Sequence, residues 1–185
     1  MKEIVLSNEE IQETVKRIAK ELEEKFKNSD KTPVFVGVLK GALPFTMDLV
    51  KYYKGDLIED FIQVSSYEGT ASTGVIHLKK DLSTDVKDKD LVIIEDIIDT
   101  GTTLSYLKQY LQIKYQPRSI TLVTLLDKKP LRKVDLEADI KGITLTKNQF
   151  LVGYGLDYNE LCRNVPYIFI PDEDDLARWN QELKN

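Results

Sequence analysis

Three carboxylates follow a short apolar run in the segment LVIIEDIIDTGTT, residues 91–103. Leu91 to Ile94 have the character of a buried strand, and Glu95, Asp96 and Asp99 come directly after them. Repulsion between like charges and loss of hydration both oppose such a cluster, so we expect a ligand to stabilise it. Carboxylate oxygens suit the hydroxyls of a sugar, or the water around a magnesium ion.

The next four residues are of the types expected at a phosphate site: Thr100, Gly101, Thr102 and Thr103. If they open a helix, their N–H groups lack helical acceptors, the helix dipole is positive there, and three hydroxyls are close by. Gly101 permits a tight turn and close approach of the main chain. Alone, this turn is more often a helix cap, and a Glu-Asp pair is more often a solvated strand end. Together, after four apolar residues, they indicate a site for a phosphorylated sugar with magnesium.

Strands and helices alternate along the chain. The pattern predicts a helix from a capping box at Ser7 to near Asn28, one with Pro44 in its first turn, one from Leu104 to before Pro117, and one after Pro171. Strands are predicted at 34–39, 61–65, 75–78, 91–94 and 119–126. This alternation predicts a parallel sheet covered on both faces. Residues 95–103 then lie beyond the carboxyl ends of the strands, where ligands of such sheets bind.

Composition limits the possible classes of protein. The 185 residues are 42% hydrophobic and 31% charged, which is typical of one globular domain. No apolar run approaches the roughly 18 residues that a membrane helix needs. The first residues show no apolar segment followed by a cleavage site, so we expect a cytoplasmic protein.

Cysteine, histidine and net charge limit the cofactors and partners. One cysteine, Cys162, and one histidine, His77, exclude an intrachain disulfide, a multi-cysteine zinc site and a histidine cluster, so any metal must be held by oxygen. The charge of −5, from 26 basic and 31 acidic residues, argues against broad binding of nucleic acid. The pattern at 95–103 is neither a Walker loop nor a dinucleotide-binding fingerprint.

The segment VIIEDIIDTGTTL resembles the phosphoribosyl-pyrophosphate motif of the type I phosphoribosyltransferases, especially their hypoxanthine-guanine branch. The resemblance extends from about residue 7 to residue 171. Three further segments carry it, in the order found in the family: GVLKGALPF, VSSYEGTASTG and FLVGYGLDYNELCRN. It implies an α/β fold with a central parallel sheet flanked by helices and a small hood from the chain ends. One domain would span residues 1–185, with its core at about 30–155.

The activity implied by the resemblance is purine salvage. The phosphoribosyl group of phosphoribosyl pyrophosphate would pass to hypoxanthine and/or guanine with Mg²⁺, giving IMP or GMP and pyrophosphate. The residues that match ribose and 5′-phosphate binding are Glu95, Asp96, Asp99, Thr100, Gly101, Thr102 and Thr103. Asp99 also matches the catalytic carboxylate beside purine N7. Ser66 and Tyr67 match further catalytic positions and would begin a mobile lid.

Other residues match the pyrophosphate, purine and metal positions of the family. The pyrophosphate positions are Leu39, Lys40, Gly41 and Arg163, and in the family the peptide bond before this lysine is often cis. The purine positions are Lys128, Phe150, Leu151 and Asp157, and Asp157 would also meet magnesium, with Glu95 and Asp96. Without the resemblance, Lys40 and Arg163 would be ordinary surface cations and Phe150 a core aromatic. Because Lys129 is adjacent, the resemblance leaves open whether Lys128 or Lys129 occupies the purine position.

Alternatives remain at this point. Residues 146–149, Thr-Lys-Asn-Gln, replace the Ile-Pro-Asp type of approach that often precedes the stacking aromatic, which leaves hypoxanthine, guanine and xanthine open. A cationic Lys128 donates but does not accept hydrogen bonds, which disfavours adenine. A regulatory nucleic-acid-binding protein of the same fold is the rival class, and a pyrimidine acceptor a further one. Relatives are commonly dimers or tetramers, so the resemblance implies a homo-oligomer.

Overall fold

The fold alternates strands and helices, and a computed structural model describes it for residues 3–66 and 76–184. In chain order these are β1 (Glu3–Leu6), α1 (Asn8–Phe26), β2 (Val34–Leu39), α2 (Leu43–Tyr52), β3 (Ile58–Ser66), β4 (Ile76–Lys80), β5 (Asp90–Ile98), α3 (Thr102–Tyr115), β6 (Ser119–Lys128), β7 (Ile140–Leu145), β8 (Ile168–Ile170) and α4 (Glu173–Glu182). A single 3₁₀ turn (Lys129–Leu131) follows β6.

Six strands form the central sheet in the order β4-β3-β2-β5-β6-β7. Neighbouring strands are parallel except at one edge, where β4 runs antiparallel to β3. The predicted parallel sheet is therefore confirmed, with one antiparallel edge strand added. Because the five strands other than β4 all point the same way, β2, β5 and β6 end at one edge of the sheet.

Apolar residues cover both faces of the sheet. Val36, Ile93 and Leu122 pack on the face that α3 covers. Phe35, Val92 and Val123 pack on the opposite face, against α1 and α2. Strands buried on both faces have continuous apolar sequences, which explains why β2 and β5 could be predicted from their composition.

The capping box predicted at the start of α1 is present. The Ser7 hydroxyl accepts a hydrogen bond from the Glu10 amide, and the Glu10 carboxylate accepts one from the Ser7 amide. These bonds occupy two donors that the start of a helix otherwise leaves open. The helix ends at Phe26, two residues before the predicted Asn28.

A second, small sheet joins the two ends of the described chain. β1 pairs antiparallel with β8, and Val152 forms an isolated bridge with Phe169 of β8. Trp179 of α4 is buried against this sheet, with its ring 6.5 Å from that of Phe169. This is the position of the hood implied by the resemblance, whereas the boundaries at about 30 and 155 stay predictions.

Three strands lie where the sequence analysis predicted none: β1, β7 and β8. β7 is at the edge of its sheet, and its apolar residues neither alternate strictly nor form a continuous run, whereas β1 and β8 are strands of only four and three residues that pair with each other. None of the helices in the part of the chain that the structure describes has the length and hydrophobicity needed to cross a bilayer.

Candidate active site

Glu95 and Asp96 lie inside β5, which extends beyond the apolar run predicted for it, to Ile98. Asp96 is buried, and its Oδ1 accepts a hydrogen bond from the Ile97 amide at 2.8 Å. Burial and the adjacent Asp96 carboxylate raise the pKa of Glu95 well above its ordinary value, and burial also raises the pKa of Asp96. A ligand that donates hydroxyls, or a cation, would stabilise the charged pair.

The Thr-Gly-Thr-Thr segment forms the turn between β5 and α3. Gly101 is the residue that precedes α3, at φ +80°, a conformation that residues with a side chain rarely adopt. It has no side chain with which to cap the helix, and the Thr100 hydroxyl lies 3.4 Å from the Thr102 amide. The segment lines a cavity of about 190 Å³, whose other walls include Glu95 and Leu104. Amides at a helix start facing a cavity are suited to an anion.

Asp99 and Lys128 come together at the carboxyl edge of the sheet. The Lys128 Nζ lies 3.8 Å from Asp99 Oδ2, and the lysine side chain is only 8% exposed. The other carboxylate oxygen, Oδ1, is buried and accepts no hydrogen bond from any described residue. Lys129 instead pairs with Asp127 at 3.4 Å and with Glu137. Of the two lysines, the geometry therefore favours Lys128 as the one that faces a ligand beside Asp99.

The loop after β2 lies against Asp96. Its Leu39–Lys40 peptide bond is cis, as is often the case in the family. A Cβ added to Gly41 would fall 2.0 Å from Asp96 Oδ2, and one added to Gly155 would fall 1.9 Å from the Gly41 carbonyl oxygen. Gly155, at φ +96° and against a backbone oxygen, requires glycine, whereas a Cβ at Gly41 would have to displace the Asp96 carboxylate. The loop after β2, the carboxylates of β5 and the segment around Gly155 are thus in direct contact with one another.

Charged side chains join the loop after β2 to the segment that follows β7. Arg163 donates to the Gly155 carbonyl oxygen at 2.7 Å and pairs with Asp157 Oδ1 at 2.8 Å. Lys40 pairs with Glu160 at 2.8 Å. The predicted pyrophosphate contacts Lys40 and Arg163 therefore lie at one place, although they are far apart in sequence.

Phe150 lies in a segment without regular structure, not in the core that its aromatic type alone would suggest. Its side chain is 53% exposed, and its ring meets that of Tyr158 edge-on at a centroid distance of 6.1 Å. The adjacent Leu151 is buried. An exposed ring held at its edge leaves a face free for stacking against a planar ligand.

The predicted lid residues are the ones that the structure does not test. Tyr67 lies outside the described residues. Ser66 ends β3, where its backbone pairs with Ile76. The proposed catalytic roles of both remain predictions from the resemblance.

The carboxylates of the site fit the way in which proteins usually bind magnesium. Within residues 3–66 and 76–184, no three His, Cys, Asp or Glu side chains are grouped as a complete metal site. Magnesium is usually held by one or two carboxylates, with water and substrate phosphates completing its shell. Glu95, Asp96 and Asp157 supply oxygen donors of that kind.

Sequence reasoning missed Asp127 and Arg132. Asp127 is fully buried near the end of β6 and accepts a hydrogen bond from Arg132. Arg132 in turn contacts the main chain of the turn after β5. The available signal was a carboxylate directly after the apolar run of β6, which is costly to bury unless a cation pairs with it.

The fold and the site together define a class. A mostly parallel sheet presents adjacent carboxylates, a turn at a helix start and a lysine-carboxylate pair at one edge, which is the arrangement expected of a phosphoribosyltransferase. Comparison with known proteins agrees: the phosphoribosyl transferase domain family matches residues 2–159. The chain belongs to this family.

Individual relatives are similar over nearly the whole chain. The hypoxanthine-guanine phosphoribosyltransferase of Bacillus subtilis is 47% identical over 169 residues, covering 91% of this chain and 92% of that protein. That of Streptococcus pneumoniae is 42% identical over 175 residues, covering 94% and 95%. A crystal structure of a hypoxanthine phosphoribosyltransferase from Staphylococcus aureus superposes with a TM-score of 0.87 at 43% identity, covering 94% of this chain and 93% of that one.

Proposed function

We propose that this protein transfers the 5-phosphoribosyl group of phosphoribosyl pyrophosphate to hypoxanthine and/or guanine, giving IMP or GMP and pyrophosphate in purine salvage. The observation that carries the proposal is the pair formed by Asp99 and Lys128, 3.8 Å apart beside the anion-binding turn. A base beside this pair would meet the partly exposed Asp99 carboxylate as an acceptor and Lys128 Nζ as a donor. The names of the similar proteins support the same reaction.

Each half of the sugar phosphate has its own binding groups. Glu95 and Asp96 accept hydrogen bonds from the ribose hydroxyls, and residues Asp99 to Thr103 surround the 5′-phosphate. Lys40 and Arg163 pair with the pyrophosphate, on the loop whose main chain includes Leu39 and Gly41. Because Gly41 packs against Asp96, the two halves are held at a fixed separation.

The base lies between Phe150, which stacks on its ring, and Lys128, which donates to its 6-oxo group. The main-chain carbonyls of Leu151 and Asp157 meet the purine 2-substituent. A lysine cation at the 6-position favours a 6-oxopurine, because the 6-amino group of adenine is itself a donor.

Asp99 is the catalytic residue. As purine N9 bonds to C1′ of the ribose and the bond from C1′ to the pyrophosphate oxygen breaks, the proton on N7 passes to the Asp99 carboxylate. Proton transfer of this kind contributes a factor of about 10² to 10⁴ in rate. The Asp99 side chain is 45% exposed and its Oδ1 accepts no hydrogen bond from the described residues, so the carboxylate is not committed to a structural role.

Magnesium fits the donor set of Asp157, Glu95 and Asp96, and when bound it would neutralise charge on the departing pyrophosphate. Asp157 is then the residue that joins the metal, the base and Arg163, with which it pairs at 2.8 Å. The assembly as a homodimer or homotetramer and the cytoplasmic location stay predictions from the resemblance and the composition.

The test is an assay of the purified protein with magnesium, phosphoribosyl pyrophosphate and one base at a time. Hypoxanthine, guanine, xanthine and adenine are compared by nucleotide and pyrophosphate formation. We expect product with hypoxanthine or guanine and none with adenine. Product with xanthine alone, or with adenine, would contradict the proposed base. Binding of phosphoribosyl pyrophosphate without product from any base would favour the regulatory alternative.

A further inference from the structure

Three consecutive carbonyl oxygens of the turn after β5 face the segment that follows β6. Arg132 Nε donates to the Asp99 carbonyl oxygen at 3.2 Å, and Arg132 Nη2 approaches the Ile98 carbonyl oxygen at 3.4 Å. The Lys133 amide donates to the Thr100 carbonyl oxygen at 2.9 Å. Residues 132–133 thus contact the turn but are not among the residues that line the cavity at the start of α3.

These contacts decide where the amides of the turn point. In a planar trans peptide the C=O and the following N–H point in opposite directions. Since the carbonyls of residues 98–100 point toward Arg132 and Lys133, the N–H groups of Asp99, Thr100 and Gly101 point away from them. The cavity at the start of α3 is lined by residues 98–101 and not by Arg132 or Lys133, which agrees with N–H groups directed at an anion there.

Arg132 is itself fixed in place. Its side chain is 11% exposed, and its guanidinium donates to the fully buried Asp127 carboxylate and to the Leu136 carbonyl oxygen. Its Cδ lies 3.0 Å from where a Cβ of Gly101 would be, so it also packs directly beneath the turn. A planar guanidinium bonded on several sides has one orientation, which a flexible lysine would not keep.

We propose that Arg132, held by Asp127, is a positioning residue that aims the amides of residues 99–101 at the 5′-phosphate. Arg132 does not touch the phosphate. It acts by holding the carbonyl side of the turn, so the donors are oriented before the ligand arrives. This inference rests on the proposed function, in which residues 99–103 bind the 5′-phosphate.

The test compares two ligands that differ only in the 5′-phosphate, IMP and inosine, by calorimetric titration of the full-length protein. The wild type is expected to bind IMP more tightly. Arg132→Met should weaken IMP binding by about tenfold or more and change inosine binding less than about twofold. The KM for phosphoribosyl pyrophosphate should rise more than that for hypoxanthine. Tenfold corresponds to about 1.4 kcal/mol.

Three further variants separate positioning from general stability. Arg132→Lys should recover part of the IMP preference, because a lysine reaches Asp127 or a carbonyl but not both. Asp127→Asn should lower the preference in the same direction while keeping the shape of the side chain. The matched control is Arg118→Met, which removes an arginine that precedes β6 and pairs with buried Asp90 at the start of β5, at the opposite end of the strands from the turn. It should lower the melting temperature and leave the IMP preference unchanged.

The outcomes for the inference and for the proposed function are distinct. A wild type with equal affinity for IMP and inosine would overturn the phosphate site itself. The inference alone would be overturned if Arg132→Met kept the full wild-type preference for IMP. If Arg132→Met does not fold, the same conclusion would follow from a full wild-type preference in both Arg132→Lys and Asp127→Asn. An equal loss of IMP and inosine binding would show a merely structural role and would also overturn it.

Discussion

Asp99 and Lys128 have opposite charges, but the structure does not join them in a close ion pair. At 3.8 Å the lysine is near enough to attract the carboxylate and far enough to retain donors for another group. Asp99 Oδ1 accepts nothing from the described residues. Because the Asp99 side chain as a whole is 45% exposed, its carboxylate and the nearby Lys128 can offer an acceptor and a donor to a ligand that supplies both a donor and an acceptor.

The first prediction concerns the proton acceptor. Asp99→Asn keeps the size of the side chain and removes its ability to take the N7 proton. We expect turnover to fall by about 10² to 10⁴, with affinity for phosphoribosyl pyrophosphate within a few-fold of the wild type. Steady-state kinetics and calorimetric titration measure the two quantities. Unchanged turnover would remove Asp99 from its catalytic role.

The second prediction distinguishes the two adjacent lysines. Lys128→Met removes the buried donor, and the KM for hypoxanthine should rise by about 10- to 100-fold, because a charge-assisted hydrogen bond is lost. Lys129→Met is the matched control: Lys129 pairs with Asp127 and Glu137 and should matter little to the base. The KM of each variant is measured at saturating phosphoribosyl pyrophosphate. A larger effect from Lys129 would shift the assignment by one residue.

At the scale of the elements, the site is made by the ends of strands. β2, β5 and β6 each end in a segment with a proposed binding residue, and these were predictable because apolar runs followed by polar residues mark such ends. The extension of β5 through Glu95 and Asp96 was not predictable, since carboxylates are rare inside buried strands. Nor was the contact of Gly155 with Gly41, because it depends on how distant segments pack.

The third prediction tests that packing. Gly41→Ala introduces a Cβ 2.0 Å from Asp96 Oδ2, and no left-handed backbone is involved, so the crowding falls directly on the proposed ribose site. Affinity for phosphoribosyl pyrophosphate should fall by about tenfold or more, since relieving such crowding costs about 1 to 3 kcal/mol. Calorimetric titration measures this affinity.

Its matched control is Gly55→Ala, where a Cβ would crowd the Tyr53 ring at 2.8 Å, away from the site. This variant should lose stability and keep its affinity. Equal affinities in the Gly41 and Gly55 variants would refute the proposed contact between the loop and the ribose site.

At the scale of the whole molecule, the two edges of the sheet have different uses. The carboxyl edge carries the binding residues, whereas the amino edge carries a network in which Arg118 joins Asp90, Asp30 and Ser29. A parallel sheet, with a site beyond the carboxyl ends of its strands, was predicted from the alternation of strands and helices, whereas the order of the strands was not. The amino-edge network was not, because it joins residues from three separate turns.

The fourth prediction concerns this network and pH. Hydrogen bonds from Arg118 lower the pKa of Asp90 from 3.8 to about 2. The resulting stabilisation is complete above about pH 4 and is lost as the pH falls through 3.8 toward 2. The difference in unfolding free energy between the wild type and Asp90→Asn should therefore shrink by about 1 kcal/mol from pH 7 to pH 3.

Urea titration at each pH measures this difference. Asp30→Asn is the matched control, because Asp30 pairs with the same arginine but its side chain is 77% exposed. Its pH dependence should be much weaker. A difference between wild type and Asp90→Asn that stays constant with pH would contradict the role of Asp90.

The most direct test of the central claim is a crystal structure of the protein with IMP and magnesium. We expect the 5′-phosphate at the amides of residues 99–103, the ribose at Glu95 and Asp96, purine N7 beside Asp99 and the 6-oxo group at Lys128. IMP bound elsewhere, such as in the cleft of about 490 Å³ at the amino edge between Phe26 and Tyr53, would contradict it.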